Sequence, residues 1–186
     1  LNSVLVFFGN IFIGLLAPVL WNILHPYQQK RILTLFNPEL DPLGAAYQII
    51  QSQTAIGSGG LLGKGWMQGT QTQLKFLPVQ ESDFILSAIG EEFGFFMILT
   101  IFICYAFIIF KIFQFAFIIR EKFTSIILVG IGTIFLAQVF VNSAMTVGLI
   151  PVKGLPLPFL SAGGSFLVSS FMMIGLVLNF ASHWSD

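Results

Sequence analysis

The sequence predicts an all-α, polytopic membrane protein. Three observations carry this. Only 9% of residues are charged and 56% are hydrophobic, whereas a soluble domain holds about 25% charged residues. Four apolar runs, at about 4–24, 84–110, 123–150 and 162–182, are each long enough to cross a bilayer. The polar residues gather in one long stretch, 25–82, between the first two runs. The charges sum to zero, so nothing points to a nucleic-acid partner. Cys104 stands alone in an apolar run and His25 and His183 are far apart, which leaves no disulfide framework and no metal-ligand spacing.

The first run, VLVFFGNIFIGLLAPVLWNIL, carries no charge. Pro18 predicts a kink near its outer end, and Trp21 suits an interfacial anchor. No charged segment precedes it and no small-residue cleavage site follows it, which argues against a signal peptide. A chain opening on Leu1 in this way is expected to be the C-terminal part of a longer polytopic protein.

Residues 25–82 are expected to form a structured outer loop, because ordered loops of such length are usually functional. Pro26, Pro38 and Pro42 predict a turn region at its start rather than a helix. Uncharged residues 44–56 read as a short helix lying in, or re-entering, the membrane interface. Gly57, Gly59, Gly60, Gly63 and Gly65 follow, and should end that helix. Farther on, Lys111, Arg120 and Lys122 crowd the 111–122 linker while the 151–161 loop has only Lys153. The basic excess places the linker in the cytoplasm and both other loops outside.

Three groups are candidates for chemistry. Asp83 falls at the first turn of the second run, where Ser82 or Asp83 caps the helix, or Asp83 acts chemically, or both. Glu91 and Glu92 lie about two turns inside that run, where a charge costs at least ~2.5–3.5 kcal/mol. Helical phase sets both apart from Asp83, so they read as structural intramembrane acids. No other run offers a basic partner, so one is expected from chain beyond this sequence. The segment GSGGLLGKG lacks the phosphate-loop form, since Gly65 follows Lys64. Turn glycines and a backbone nest for a phosphate both remain open.

Three separated motifs then carry a resemblance. DPLGAAYQIIQSQTAIGSGGLLGKGWMQGTQTQLKFLP, SDFILSAIGEEFGF and GLIPVKGLPLPFLSAGGS occur in the order found in the SEDS family, the shape, elongation, division and sporulation proteins. The likeness spans roughly residues 21–180, and Gly69-Thr70-Gln71 is more similar to the elongation branch (RodA) than to the division branch (FtsW). Val79, Ser82 and Ala162 stand where the family usually has Glu, Thr and Tyr. The resemblance implies that residues 1–186 are the C-terminal half of a ten-helix membrane domain, from about the seventh helix. It implies a bacterial inner (plasma) membrane protein that polymerises lipid II into glycan strands on the outer face, with a class B penicillin-binding protein as partner and membrane lipids around it.

That chemistry is glycosyl transfer with inversion. Asp83 falls on the family's essential aspartate and is the expected general base. Lys64 and Lys75, with Gly59 and Gly60, are the expected diphosphate contacts, and Gln71 and Gln73 the sugar contacts. A divalent cation such as Mg2+ could share the phosphate role, with Asp83 as its ligand. The rival readings are a lipid II flippase using Glu91 and Glu92, and a scaffold that only holds the partner enzyme.

Overall fold

The structure, a computed structural model, describes residues 21–37, 44–73 and 82–182. The described residues are all-helical, without strands. Residues 21–23 are helical and Leu24 is a bend, and residues 4–20 of the predicted first span lie outside the described residues. Three helices then precede the long apolar ones: α1 (Pro26–Phe36), α2 (Ala45–Gly59) and the single turn α3 (Thr70–Gln73). Three more are apolar and long enough to cross a bilayer: α4 (Ile85–Ile118), α5 (Lys122–Thr146) and α6 (Gly164–Ser182).

Helix α1 corrects the expectation of a proline-marked turn region. Pro26 occupies the first helical position, where its missing N–H is no loss and its fixed φ suits the helix. Gln28 Oε1 accepts from the backbone N–H of His25 at 3.1 Å, which closes the start. Helix α2 confirms the short helix read from 44–56 and ends, as expected, within the glycines, at the Gly60 cap with φ 57°.

Helix α4 differs from the sequence reading at both ends. It runs on to Ile118, so the linker shrinks to residues 119–121. KIFQFAFI is apolar apart from Lys111 and Gln114, whose side chains bond each other at 3.0 Å, so nothing stops the helix there. Ser125 Oγ donates to the carbonyl of Ala116 at 2.7 Å and closes the tight turn. Near the other end α4 is broken at Gly94, where φ is 76° and ψ −170°. Residues 95–118 form the spanning part, about 36 Å at 1.5 Å per residue. Residues 85–93 form a separate short helix packed against the glycine loop, and Glu91 and Glu92 belong to it.

Helices α4 and α5 pair along most of their length. On α4, Ile98, Ile101, Tyr105, Ile109, Ile112 and Ala116 are buried, a three-and-four spacing that makes one stripe. It packs on Leu128, Ile131 and Phe135 of α5. Gly132 lets the helices approach, for a Cβ there would sit 3.1 Å from the Phe113 ring. The opposite face of α4 exposes Phe95, Phe96, Ile103, Phe107, Phe110 and Phe117. Helix α5 ends at Thr146, with Leu149 N donating to Ala144 O and Gly148 N to Met145 O, a Schellman closure. The span read as 123–150 is shorter for that reason.

The break at Gly94 is closed by the glycine loop. Lys64 N and Gly65 N donate to the Glu91 and Glu92 carbonyls, which end the short helix. Phe95 N and Phe96 N, which begin the long one, donate to the carbonyls of Gly60 and Leu61. Four backbone groups that a helix break would orphan are satisfied in this way. The backbones nearly touch: a Cβ on Gly63 (φ 81°) would lie 2.2 Å from Glu92 O, and one on Gly94 would lie 2.3 Å from Gly63 N. Gly63→Ala is therefore expected to destabilise by more than the ~1–2 kcal/mol of left-handed backbone alone, whereas Gly130→Ala, with open space around it, should be neutral or stabilising. Thermal unfolding of the two purified variants checks this.

Candidate functional site

Asp83 does not cap the helix. Phe84 holds the N-cap position, with no side-chain cap bond, and its ring is buried. Asp83 sits in the turn before it, half-buried, and accepts from Ser82 Oγ at 3.0 Å. The phase argument made for Asp83 against Glu91 and Glu92 therefore had the wrong premise, because Asp83 is outside the helix.

That turn is held from two sides. Asn142, fully buried on α5, donates through Nδ2 to the carbonyl of Asp83 at 3.1 Å and to that of Leu155 at 2.8 Å. Ser161 Oγ donates to the carbonyl of Ser82 and accepts from Leu157 N at 2.7 Å. Tyr105 of α4 donates to the carbonyl of Pro158. Residues 151–161 thus lie folded over Asp83. Gly154 (φ 64°) stands directly above it: a Cβ there would come 3.3 Å from Asp83 Oδ2. Asn142 and Ser161 were missed by sequence reasoning. Their signal was an amide in an apolar run and a hydroxyl two residues before a glycine pair.

Glu91 is the centre of a second cluster. Its side chain is fully buried and meets Lys64 Nζ at 2.7 Å. Gln71 N donates to Oε1 at 3.0 Å, as does Thr70 Oγ1 at 3.2 Å. Thr72 gives both its N–H and its hydroxyl to Oε2, at 3.0 and 2.7 Å. Lys64 also reaches Thr70 Oγ1 at 3.0 Å. The basic partner expected from chain beyond this sequence is thus Lys64 of the outer loop. Buried carboxylates need this degree of pairing to remain charged. Glu92 is half-buried, with no side-chain bond among the described residues.

The remaining candidates fall into place around this cluster. Lys64 is occupied by Glu91. Gly59 packs on Gly90, a Cβ there lying 1.9 Å from the Gly90 carbonyl, and Gly60 gives its carbonyl to Phe95. Gln71 gives its N–H to Glu91, and its Oε1 is buried without a partner among the described residues. Gln73 closes α3, and Lys75 lies outside the described residues. Asp83 lies in the turn before the short helix and Glu91 in its second half, where its oxygens face Lys64 and residues 70–72, so they do not form one carboxylate pair. Among the described residues no three acidic, His or Cys side chains gather to hold a metal ion.

Fold and site together define a multi-pass helical membrane protein whose 151–161 loop folds over a carboxylate at the mouth of a broken helix. A family model for the FtsW/RodA/SpoVE cell cycle proteins matches residues 2–186, and the chain belongs to that family. The peptidoglycan glycosyltransferase MrdB of Escherichia coli is 42% identical over 174 residues, covering 93% of this chain and 47% of that protein. The peptidoglycan glycosyltransferase RodA of Treponema pallidum is 39% identical over 157 residues, covering 84% and 36%. A probable peptidoglycan glycosyltransferase FtsW of Trichlorobacter lovleyi is 42% identical over 156 residues, covering 84% and 41%. The elongation-branch likeness is supported, with division-branch relatives at similar identity. A solved structure, described as showing structural coordination of polymerization and crosslinking by a peptidoglycan synthase complex, aligns with a TM-score of 0.74 at 27% identity over 97% of this chain and 49% of that one. The chain spans about half the length of the relatives it matches.

Replacing Glu91 with Gln removes the charge that Lys64 and four hydrogen-bond donors face. Amide exchange across residues 64–72 is expected to speed up by about tenfold or more, from loss of ~1.5–3 kcal/mol of charge-assisted bonding. Exchange in the 98–116 stripe should stay unchanged. Exchange measured by mass spectrometry on both regions checks this.

Proposed function

We propose that this chain carries the acceptor-activating half of a lipid II glycosyltransferase at the outer face of a bacterial inner membrane. The observation that carries the reading is Asp83, a half-buried carboxylate on a turn fixed by Asn142 and Ser161 beneath Gly154. The names of the relatives support the reaction class. In this reaction Asp83 takes the proton of the attacking 4-hydroxyl as its oxygen bonds the anomeric carbon of a second lipid-linked sugar. The bond from that carbon to the diphosphate breaks, and polyprenyl diphosphate leaves with the electron pair. Holding Asp83 through its backbone, at two carbonyls, leaves its carboxylate oxygens for the substrate. Glu91, by contrast, has both oxygens committed to the loop, which speaks against its lining a transport path.

Asp83→Asn keeps the side chain's shape and removes the base. Polymerisation of lipid II by the full-length protein with its partner is expected to fall at least ~100-fold, with insertion and partner binding intact. Near-normal glycan synthesis, read by gel analysis of labelled strands, would refute the assignment.

For the partner, we propose that the transmembrane helix of a class B penicillin-binding protein docks on α4 and α5. The exposed phenylalanines of α4 offer side chains to interdigitate and few small residues for close self-packing. Photocrosslinking probes along 95–110 and 126–140 should capture that helix at every third or fourth position. Capture by lipid alone, with the partner bound elsewhere, refutes it.

A further inference from the structure

With Lys64 held by Glu91, the cation for a leaving diphosphate must be sought elsewhere. A cleft of about 490 Å3 opens between the end of the first span, α1 and the start of the 151–161 loop. Its walls are Leu24, Ile32, Pro151, Val152 and Leu155, and it holds two cationic residues, Arg31 and Lys153. No acid lines it. The half-buried Arg31 is fixed in place: Nη1 donates to the carbonyl of Val152, and the guanidinium lies 4.4 Å over the Tyr27 ring. A guanidinium carries five N–H donors in a planar fork, well matched to phosphate oxygens, and the Val152 bond uses one. Lys153 is exposed at the same turn.

The turn itself joins this cleft to the carboxylate. Val152 and Lys153 line the cleft, and the next residue, Gly154, stands over Asp83. A base and a leaving-group site that are adjacent yet separated by one turn of backbone are what an inverting transfer requires, since the hydroxyl enters and the diphosphate leaves on opposite sides of the anomeric carbon. Two cations in a cleft with apolar walls also discriminate among anions. A free phosphate has no use for the walls, and a phosphodiester headgroup has one charge for two cations.

Resting on the glycosyl-transfer reading above, we propose that Arg31 and Lys153 bind the diphosphate of a polyprenyl-linked substrate, with its first prenyl units along Leu24, Ile32 and Leu155. The test is binding to the full-length protein in nanodiscs, read by native mass spectrometry. The probes are undecaprenyl diphosphate, undecaprenol, phosphatidylglycerol and inorganic pyrophosphate. Lys153→Gln is expected to weaken undecaprenyl diphosphate binding about tenfold, the loss of one charge-assisted contact. Undecaprenol binding should not change, and Arg31→Gln should act in the same direction. Pyrophosphate should compete only at far higher concentration. Wild-type affinity for undecaprenyl diphosphate in both variants overturns the proposal. So does an equal loss of undecaprenol, or displacement by phosphatidylglycerol or pyrophosphate at matching concentration. Binding is read without turnover, so an active polymerase that binds normally after both substitutions refutes the cleft alone. A protein that binds through the cleft yet never polymerises refutes the reaction alone.

Discussion

The outer architecture depends on one constraint: a helix broken at Gly94 must have its backbone ends satisfied away from bulk water. Intact helices meet that demand internally, and broken ones need a partner strand of backbone. Here the partner is the glycine loop, which supplies two donors to the first half and two acceptors to the second. The bonds require the loop to lie within backbone contact of the break, so glycine is needed on both sides. Gly59 against Gly90 and Gly63 against Glu92 are consequences of that approach. The carboxylate of Glu91 then fastens the continuation of the loop, through Lys64 and residues 70–72. Backbone seam and buried ion pair act on the same dozen residues, the first fixing where the loop crosses and the second where it goes next.

This division of labour explains why two acids eight residues apart have different environments. Glu91 has its oxygens saturated, as a buried carboxylate must. Asp83 receives one side-chain bond, from the neighbouring serine, while its position is set through main-chain carbonyls. An acid whose carboxylate was used to hold the turn would be a poorer base, because hydrogen bonds to the charged form lower its proton affinity. Asn142 and Ser161 do the holding instead, from α5 and from the loop that precedes α6. The turn that carries Asp83 is thus anchored to apolar helix α5 and to the loop before α6.

Much of this was legible in the sequence, and the misses share a cause. The apolar runs predicted α4, α5 and α6 because length and hydropathy are local properties. The glycine cluster predicted the end of α2 for the same reason. Pro26 misled because a proline opens a helix as readily as it breaks one, and Gln28 as the partner of His25 was the deciding cue. The break at Gly94 was hidden: GEEFGFF reads as continuous helix, and the glycine becomes a break only when a second backbone is present to satisfy it. Once the break was missed, Glu91 looked deep, and a basic partner was sought in other spans rather than 27 residues upstream in the loop.

The same reasoning orders the cations. The resemblance put Lys64 ahead of Lys75 for the diphosphate, because the family varies at position 75. Burial counts against Lys64, since a lysine already paired with a fully buried carboxylate cannot leave it without exposing an unpaired charge, a cost of about 3–5 kcal/mol. Lys153 has no such obligation, being exposed beside the turn that covers Asp83. Arg31 is tied through a neutral carbonyl, which orients the guanidinium without neutralising it. In a membrane protein poor in charge, the cations suited to meeting substrate are the ones the fold has not already neutralised. Among the described residues these two line a cleft that residues 152–154 join to Asp83, through Arg31 on Val152 O and Gly154 against the carboxylate.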